Sequence, residues 1–282
     1  MRWKKGRRST NIEDRRGQRV GRGVKMGGGL TLLVVVAVLL LGGDPTTLLE
    51  VMGESSPTET RPPTAAENET ADFVTVVLGS TEDTWAEIFS AAGQTYREPT
   101  LVLFTDMVQS ACGMNSAATG PFYCPPDQKL YMDVGFFRDL ERLGGAGDFA
   151  QAYVVGHEVG HHVQNLIGTS AAVRQAQARS GNQADGNRLS VLIELQADCY
   201  AGVWAYHMNR RGGATSLEPG DVEEGLRAAS AIGDDRLMRS AGRAVNPESF
   251  THGTSEQRAM WLRRGLETGS VEACDTFERA SP

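Results

Sequence analysis

The sequence predicts an α+β fold that is mostly helical, with a small sheet before its principal helix and an apolar span ahead of the whole. Three observations carry this. Short apolar runs suited to strands fall before residue 134, and helical periodicity dominates after it. The strip LTLLVVVAVLLL, residues 30–41, stands apart from both. With 40% hydrophobic and 22% charged residues over 282 positions, the composition is that of a globular chain, which excludes collagen-like, coiled-coil and wholly disordered ones.

The elements follow in order. Residues 1–25 hold ten Lys and Arg against Glu13 and Asp14, although the whole chain has a net charge of −7, so a basic head precedes an acidic body. The strip with its flanking glycines covers about 17 residues, the short end of a membrane span. It has no polar face, no small-residue cleavage site follows it, and the positive charge lies on one side only. The positive-inside rule then makes residues 1–26 a basic cytoplasmic head and 27–43 an uncleaved, single-pass transmembrane anchor, with everything after about residue 44 outside. That orientation accounts for the basic head, in which Trp3 is the one aromatic, so no nucleic-acid partner is expected. Residues 44–72, with GESSPTETRPPTAAENETAD at their core, read as an extended linker, and 73–282 as one domain.

Inside that domain, TEDTWAEIFSAAG predicts a helix starting at Thr81, with Trp85, Ile88, Phe89 and Ala92 on one face and Gly93 closing it. Residues 101–104 and Lys129–Asp133 predict buried strands, with residues 110–126 a loop between them. A short helix is expected over 136–143. Asp148 can then cap a long one, DFAQAYVVGHEVGHHVQNLIG, that stops at Gly168. Further helices are expected over about 187–209, 221–232 and 255–267.

The long helix contains His157-Glu158-Val159-Gly160-His161. Positions four apart leave an α-helix on the same face, which suits two imidazoles bound to one zinc ion. Glu158 stands where a carboxylate can act as general base on a metal-activated water. His162 is offset by about 140° from His157 and points away. A catalytic zinc needs a third protein ligand. Glu194 supplies the best one, being an acid in the otherwise apolar segment LSVLIELQADCYAGVWAYH, with Asp198 one turn on; His207 and His252 are the alternatives. The spacing Glu194-x-x-x-Asp198 resembles the third-ligand helix of glutamate-type zincin proteases. That resemblance implies Glu194 as ligand and Asp198 as the partner that orients His157.

Taken in order, the blocks MRWKKGRRSTNIEDRRG, SACG, GPFYCPPDQKLYMD, GDFAQAYVVGHEVGHHVQN, ELQADCYAGVW, AIGDDR and THGTSEQR resemble the putative neutral zinc metallopeptidases of bacterial inner membranes over nearly the whole chain. The resemblance implies a zincin-type, zinc-dependent fold with His157 and His161 as ligands and Glu158 as catalytic acid/base. His252 is the candidate donor to the oxyanion, with Tyr131 and Tyr206 as alternatives and helix capping by its neighbours Thr254 and Ser255 as the competing role for the cluster. By analogy to the fold, Lys129–Asp133 is the strand expected to pair with an extended substrate. Four cysteines fall on the expected outer side, where disulfides form; Cys112–Cys124, which flank one loop, and Cys199–Cys274 are the favoured pairs among three possible sets. The function expected is a membrane-anchored zinc metallopeptidase acting on peptide or protein substrates. The alternatives are a non-catalytic, zinc-stabilised binding or chaperone-like module, and a soluble enzyme that buries its apolar run.

Overall fold

Thr64 starts the first helix. Its hydroxyl accepts from the Glu67 N–H while the Glu67 carboxylate accepts from the Thr64 N–H, a capping box. From there α1 (Ala65–Ala91) runs unbroken, in a computed structural model that describes residues 1–17 and 62–278. The expected start at Thr81 is therefore about four turns late, and the linker read over 44–72 ends before Ala65. Thr81 sits inside the helix with its hydroxyl on the Leu78 carbonyl at 2.7 Å. The stretch AAENETAD lacks an apolar period, but alanine and glutamate are good helix formers once a cap has nucleated the turn.

Two apolar strands, β2 (Thr100–Phe104) and β6 (Lys129–Asp133), pair in parallel, with Leu101 opposite Leu130 and Phe104 opposite Asp133. Both faces are buried, which is why these strands read as continuous apolar runs. Leu101, Leu103, Leu130 and Met132 face the helices, while Val102, Phe104 and Tyr131 pack with Val108 and Cys124 on the other side. The region expected as loop supplies three further strands. A hairpin of β3 (Met107–Ser110) and β4 (Gly113–Ser116) forms a separate two-stranded sheet, and β5 (Phe122–Cys124) runs antiparallel to β6. The disulfide Cys112–Cys124 ties the hairpin tip to the end of β5.

The fourth strand of the main sheet comes from the head. β1 (Ile12–Asp14) pairs in parallel with β2, Ile12 opposite Leu101, giving the order β1-β2-β6-β5. Arg7 donates to buried Glu82 at 2.9 Å and to Asp83 at 2.7 Å, both on α1. Arg8 holds Asp72 through two bonds of 2.6 Å, and Ser9 and Asn11 donate to Glu82. Trp3 packs edge-on against Phe73. Over residues 1–16 this departs from the reading of 1–26 as a head separate from the domain. Within the fold, Arg7 and Arg8 complement acidic side chains of α1 while β1 joins the main sheet. The anchor expected over 27–43 lies outside the described residues; among those described, no helix is long and apolar enough to cross a membrane.

The helical part comprises α2 (Phe136–Arg142), α3 (Asp148–Leu166), α4 (Thr169–Ala178), α5 (Gln183–Arg211), α6 (Asp221–Ala231), α7 (Asp234–Ser240) and α8 (Ser255–Thr268). The short α4 and α7 were not expected, and α5 begins earlier than 187 because Asn182 caps it. Asp148 is the first residue of α3 and not its cap; with Asp221 it accepts from the buried α-ammonium of Met1, at 2.5 and 3.2 Å. Two glycines set how closely the helices approach. A Cβ on Gly160 of α3 would lie 2.9 Å from the Ala197 carbonyl oxygen of α5, and one on Gly265 of α8 would lie 2.0 Å from that of Cys199. Hydrogen at these positions lets α3, α5 and α8 meet backbone to backbone. The disulfide Cys199–Cys274 pins the segment after α8 to α5.

Candidate metal centre

His157 and His161 leave α3 one turn apart, and Glu194 reaches them from α5. The Glu194 oxygens lie 3.2 Å from His157 Nε2 and 3.3 Å from His161 Nε2. One donor atom from each residue falls within 4.8 Å of the others, so three nitrogen and oxygen donors converge on one point. The opposite ring nitrogens are committed elsewhere. His157 Nδ1 donates to Asp198 at 2.8 Å, and His161 Nδ1 to the Gln164 amide oxygen at 2.9 Å. Gln164 is fixed in turn by donating to the Ile193 carbonyl and to Gln196. Both Nε2 atoms are thereby left to a ligand, the arrangement a zinc site requires. The donor set fits zinc in number and type.

Electrostatics agree. Burial works against charge on all three side chains, and their mutual attraction overrides it. Asp198 and Glu194 lift His157 to about 10, Glu194 raises His161, and the two imidazoles hold Glu194 well below the ordinary carboxylate range. This is a cation-seeking site, whose positive charge a metal can supply in place of protons.

Glu158 is 7% exposed and accepts no hydrogen bond from any described residue. Burial pushes its carboxyl up, as a general base working near neutral pH requires. It opens on a cavity of about 590 Å³ that His157, His161, Glu194 and His252 also line, together with Phe122 and Tyr123 of β5. His252 comes from the turn before α8. Its Nδ1 lies 3.2 Å from Asp234, whose hydrogen bond raises the imidazole pKa, and its backbone N–H also donates to Asp234.

The other candidates separate clearly. Tyr131 stacks on Phe122 and donates to Asp127, and it does not line the cavity. Nor does Tyr206, whose hydroxyl accepts from Arg210. His207 lies 2.8 Å from the Gly269 carbonyl, outside the donor group. His162 points away, as expected. Its Nε2 donates to the Arg97 carbonyl and its Nδ1 accepts from Tyr123, and burial lowers its pKa to about 4, so it is neutral. Lys129–Asp133, expected to pair with substrate, is an interior strand, paired with β2 along its length and with β5 over Lys129–Tyr131, and the edge strand that lines the cavity is β5. A second carboxylate cluster, Asp148, Asp221 and Glu224, carries the Met1 ammonium.

Three residues of the centre escaped the sequence reading: Tyr153, Gln164 and Arg258. Tyr153 and Arg258 meet at Asp198, where the tyrosine hydroxyl donates at 2.5 Å and the guanidinium donates through two nitrogens. A signal existed for Arg258, which shares a helical face with Trp261 and Leu262 and so falls on the buried side of α8.

Residues 1–277 match the family described as putative neutral zinc metallopeptidase. The chain is 47% identical over an alignment of 292 residues to the uncharacterized protein YpfJ of Escherichia coli K12, covering 99% of this chain and 100% of that one. It is 44% identical over 195 residues to the uncharacterized protein Rv2575 of Mycobacterium tuberculosis H37Rv, covering 66% and 64% of the two chains. No solved structure matches.

Proposed function

The chain belongs to the family of putative neutral zinc metallopeptidases, and from that membership and the cleft together we propose that it is a zinc-dependent peptidase of zincin type. His157, His161 and Glu194 hold the ion, Asp198 holds His157, Glu158 is the general base and His252 stabilises the oxyanion. The observation that carries this reading is Glu158, a buried carboxylate that accepts no hydrogen bond among the described residues, beside a convergent set of three donors. A structural zinc site closes with four protein ligands and has no use for such a group.

Zinc held by His157, His161 and Glu194 would supply Lewis acidity toward a water and the scissile carbonyl. Glu158 takes the proton from the water and passes it to the departing amine, which its raised pKa favours. His252, with Nδ1 turned to Asp234, has Nε2 left to donate to the carbonyl oxygen as charge develops there. The free edge of β5 accepts an extended peptide as an added strand, with Phe122 and Tyr123 beside its side chains. The substrate is thus a peptide or protein segment, and nucleic acid has no part in the reading. The apolar run 30–41 enters the proposal as a membrane contact, with the catalytic unit on the oxidising side, where its two disulfides are stable.

Glu158→Gln in the full chain tests the reading. Zinc content should stay at about one ion per chain while cleavage of a peptide library falls by about 10²–10⁴-fold. Unchanged cleavage would place the base elsewhere. A wild-type chain that binds zinc and cleaves nothing would favour the zinc-stabilised binding module.

A further inference from the structure

We propose that Arg258 is a positioning residue of the metal centre, acting through Asp198 to hold His157 in the one orientation that offers Nε2 to the ion. The proposal rests on the zinc reading above. Arg258 lies on α8, a helix that contributes no metal donor, and is 2% exposed. Its Nε donates to Asp198 Oδ2 and its Nη2 to Asp198 Oδ1, each at 2.9 Å. Gripped at both oxygens by a planar fork, the carboxylate cannot rotate. Its Oδ1 is then fixed where it accepts from His157 Nδ1 at 2.8 Å and from the Tyr153 hydroxyl at 2.5 Å. The same Nη2 donates to the Tyr153 oxygen at 3.2 Å, and Nη1 to the Ile232 carbonyl at 3.4 Å, so the guanidinium is itself anchored. Arg258 also balances a fully buried carboxylate beside Glu194 and Glu158, which an apolar residue could not do. The ligand helices α3 and α5 are thereby registered against α8 by one ion pair.

The test is zinc affinity of the full chain, by competition with a chromophoric chelator, together with the visible absorption of the cobalt-substituted protein as a report on coordination. Wild type is compared with R258K, R258M, D198N and the double variant R258M/D198N. R258M should lower zinc affinity by about 10–100-fold and alter the cobalt spectrum. R258K, which keeps the charge but cannot span both oxygens, should restore affinity only in part. In the D198N background, R258M should change affinity by no more than about twofold, because the partner through which it acts is gone. If R258M does not fold, R258K and the double variant decide. Wild-type affinity and spectrum in R258K, or losses from R258M and D198N that multiply in the double variant, would overturn the proposal. A wild-type chain that takes up no zinc overturns the zinc reading and this proposal with it; normal wild-type uptake with an indifferent R258M overturns the proposal alone.

Discussion

Glu194 closes the donor set from a different helix, so its loss and the loss of a residue that touches only substrate should read differently. Glu194→Ala removes one of three donors, and elemental analysis should find zinc lost together with activity. His252→Ala removes a group that bonds Asp234 and Thr251 and no ligand, so zinc should stay while kcat falls by about 10²–10³-fold. Full zinc in the Glu194 variant would put the third ligand elsewhere. At this scale much of the centre was legible in the sequence. The one-turn spacing of His157 and His161 names them, Glu194 betrays itself as an acid in an apolar segment, and Asp198 was named through the resemblance of their spacing to the third-ligand helix of zincin proteases. Arg258 was missed because its segment SEQRAMWLRRG holds three other charged residues, and only its spacing from Trp261 and Leu262 marks it as the one that turns inward.

At the scale of elements, the chemistry depends on how closely α3 and α5 approach, and Gly160 sets that distance one residue before His161. Gly160→Ala should cost about 1–3 kcal/mol by overpacking against the Ala197 backbone. Because relief of that contact moves Glu194 away from the two imidazoles, zinc affinity should fall as well. Thermal unfolding with and without chelator separates the two effects: a variant equally destabilised in both conditions would show that the helices part without disturbing the donors. α1 was read late because its first turns lack a periodic face, and the long helices were readable where they bury one. β5 was not, since its three residues are a strand only by virtue of pairing with β6 and of the Cys112–Cys124 tie. Its place at the sheet edge, which makes it the proposed peptide-binding strand, is a property of strand order that no local pattern encodes. The same gap explains why Lys129–Asp133, the stronger strand by composition, was the wrong choice for that role.

At the scale of the molecule, the ten basic residues at the start admit two physical accounts, and the fold separates them. As a topology signal they would hold the first 26 residues in the cytoplasm. As a docking surface, Arg7 and Arg8 among the described ones pair with α1 beside the β1 strand that joins the sheet, and composition alone cannot tell a charge that repels a membrane crossing from one that awaits a partner helix. The pairing of β1 with β2 has a topological consequence, because Leu101 and Ile12 cannot be in register across a bilayer. With β1 paired to β2, residues 12–14 and 101–103 share one compartment. The oxidising side proposed above, where the two disulfides are stable, would be that compartment. Reporters placed at the two ends of the chain should therefore give the same answer, both accessible from outside in intact cells, and single cysteines at exposed positions 5 and 256 should be labelled alike by an impermeant reagent. Cysteine at 5 protected while that at 256 is labelled would mean that the head does not join the sheet in the cell, and would restore the single-pass anchor. The pairing makes a second demand on the same samples: Arg7→Glu, which sets a like charge against Glu82 and Asp83, should release the head and raise its susceptibility to protease while the zinc donors on α3 and α5 stay in place.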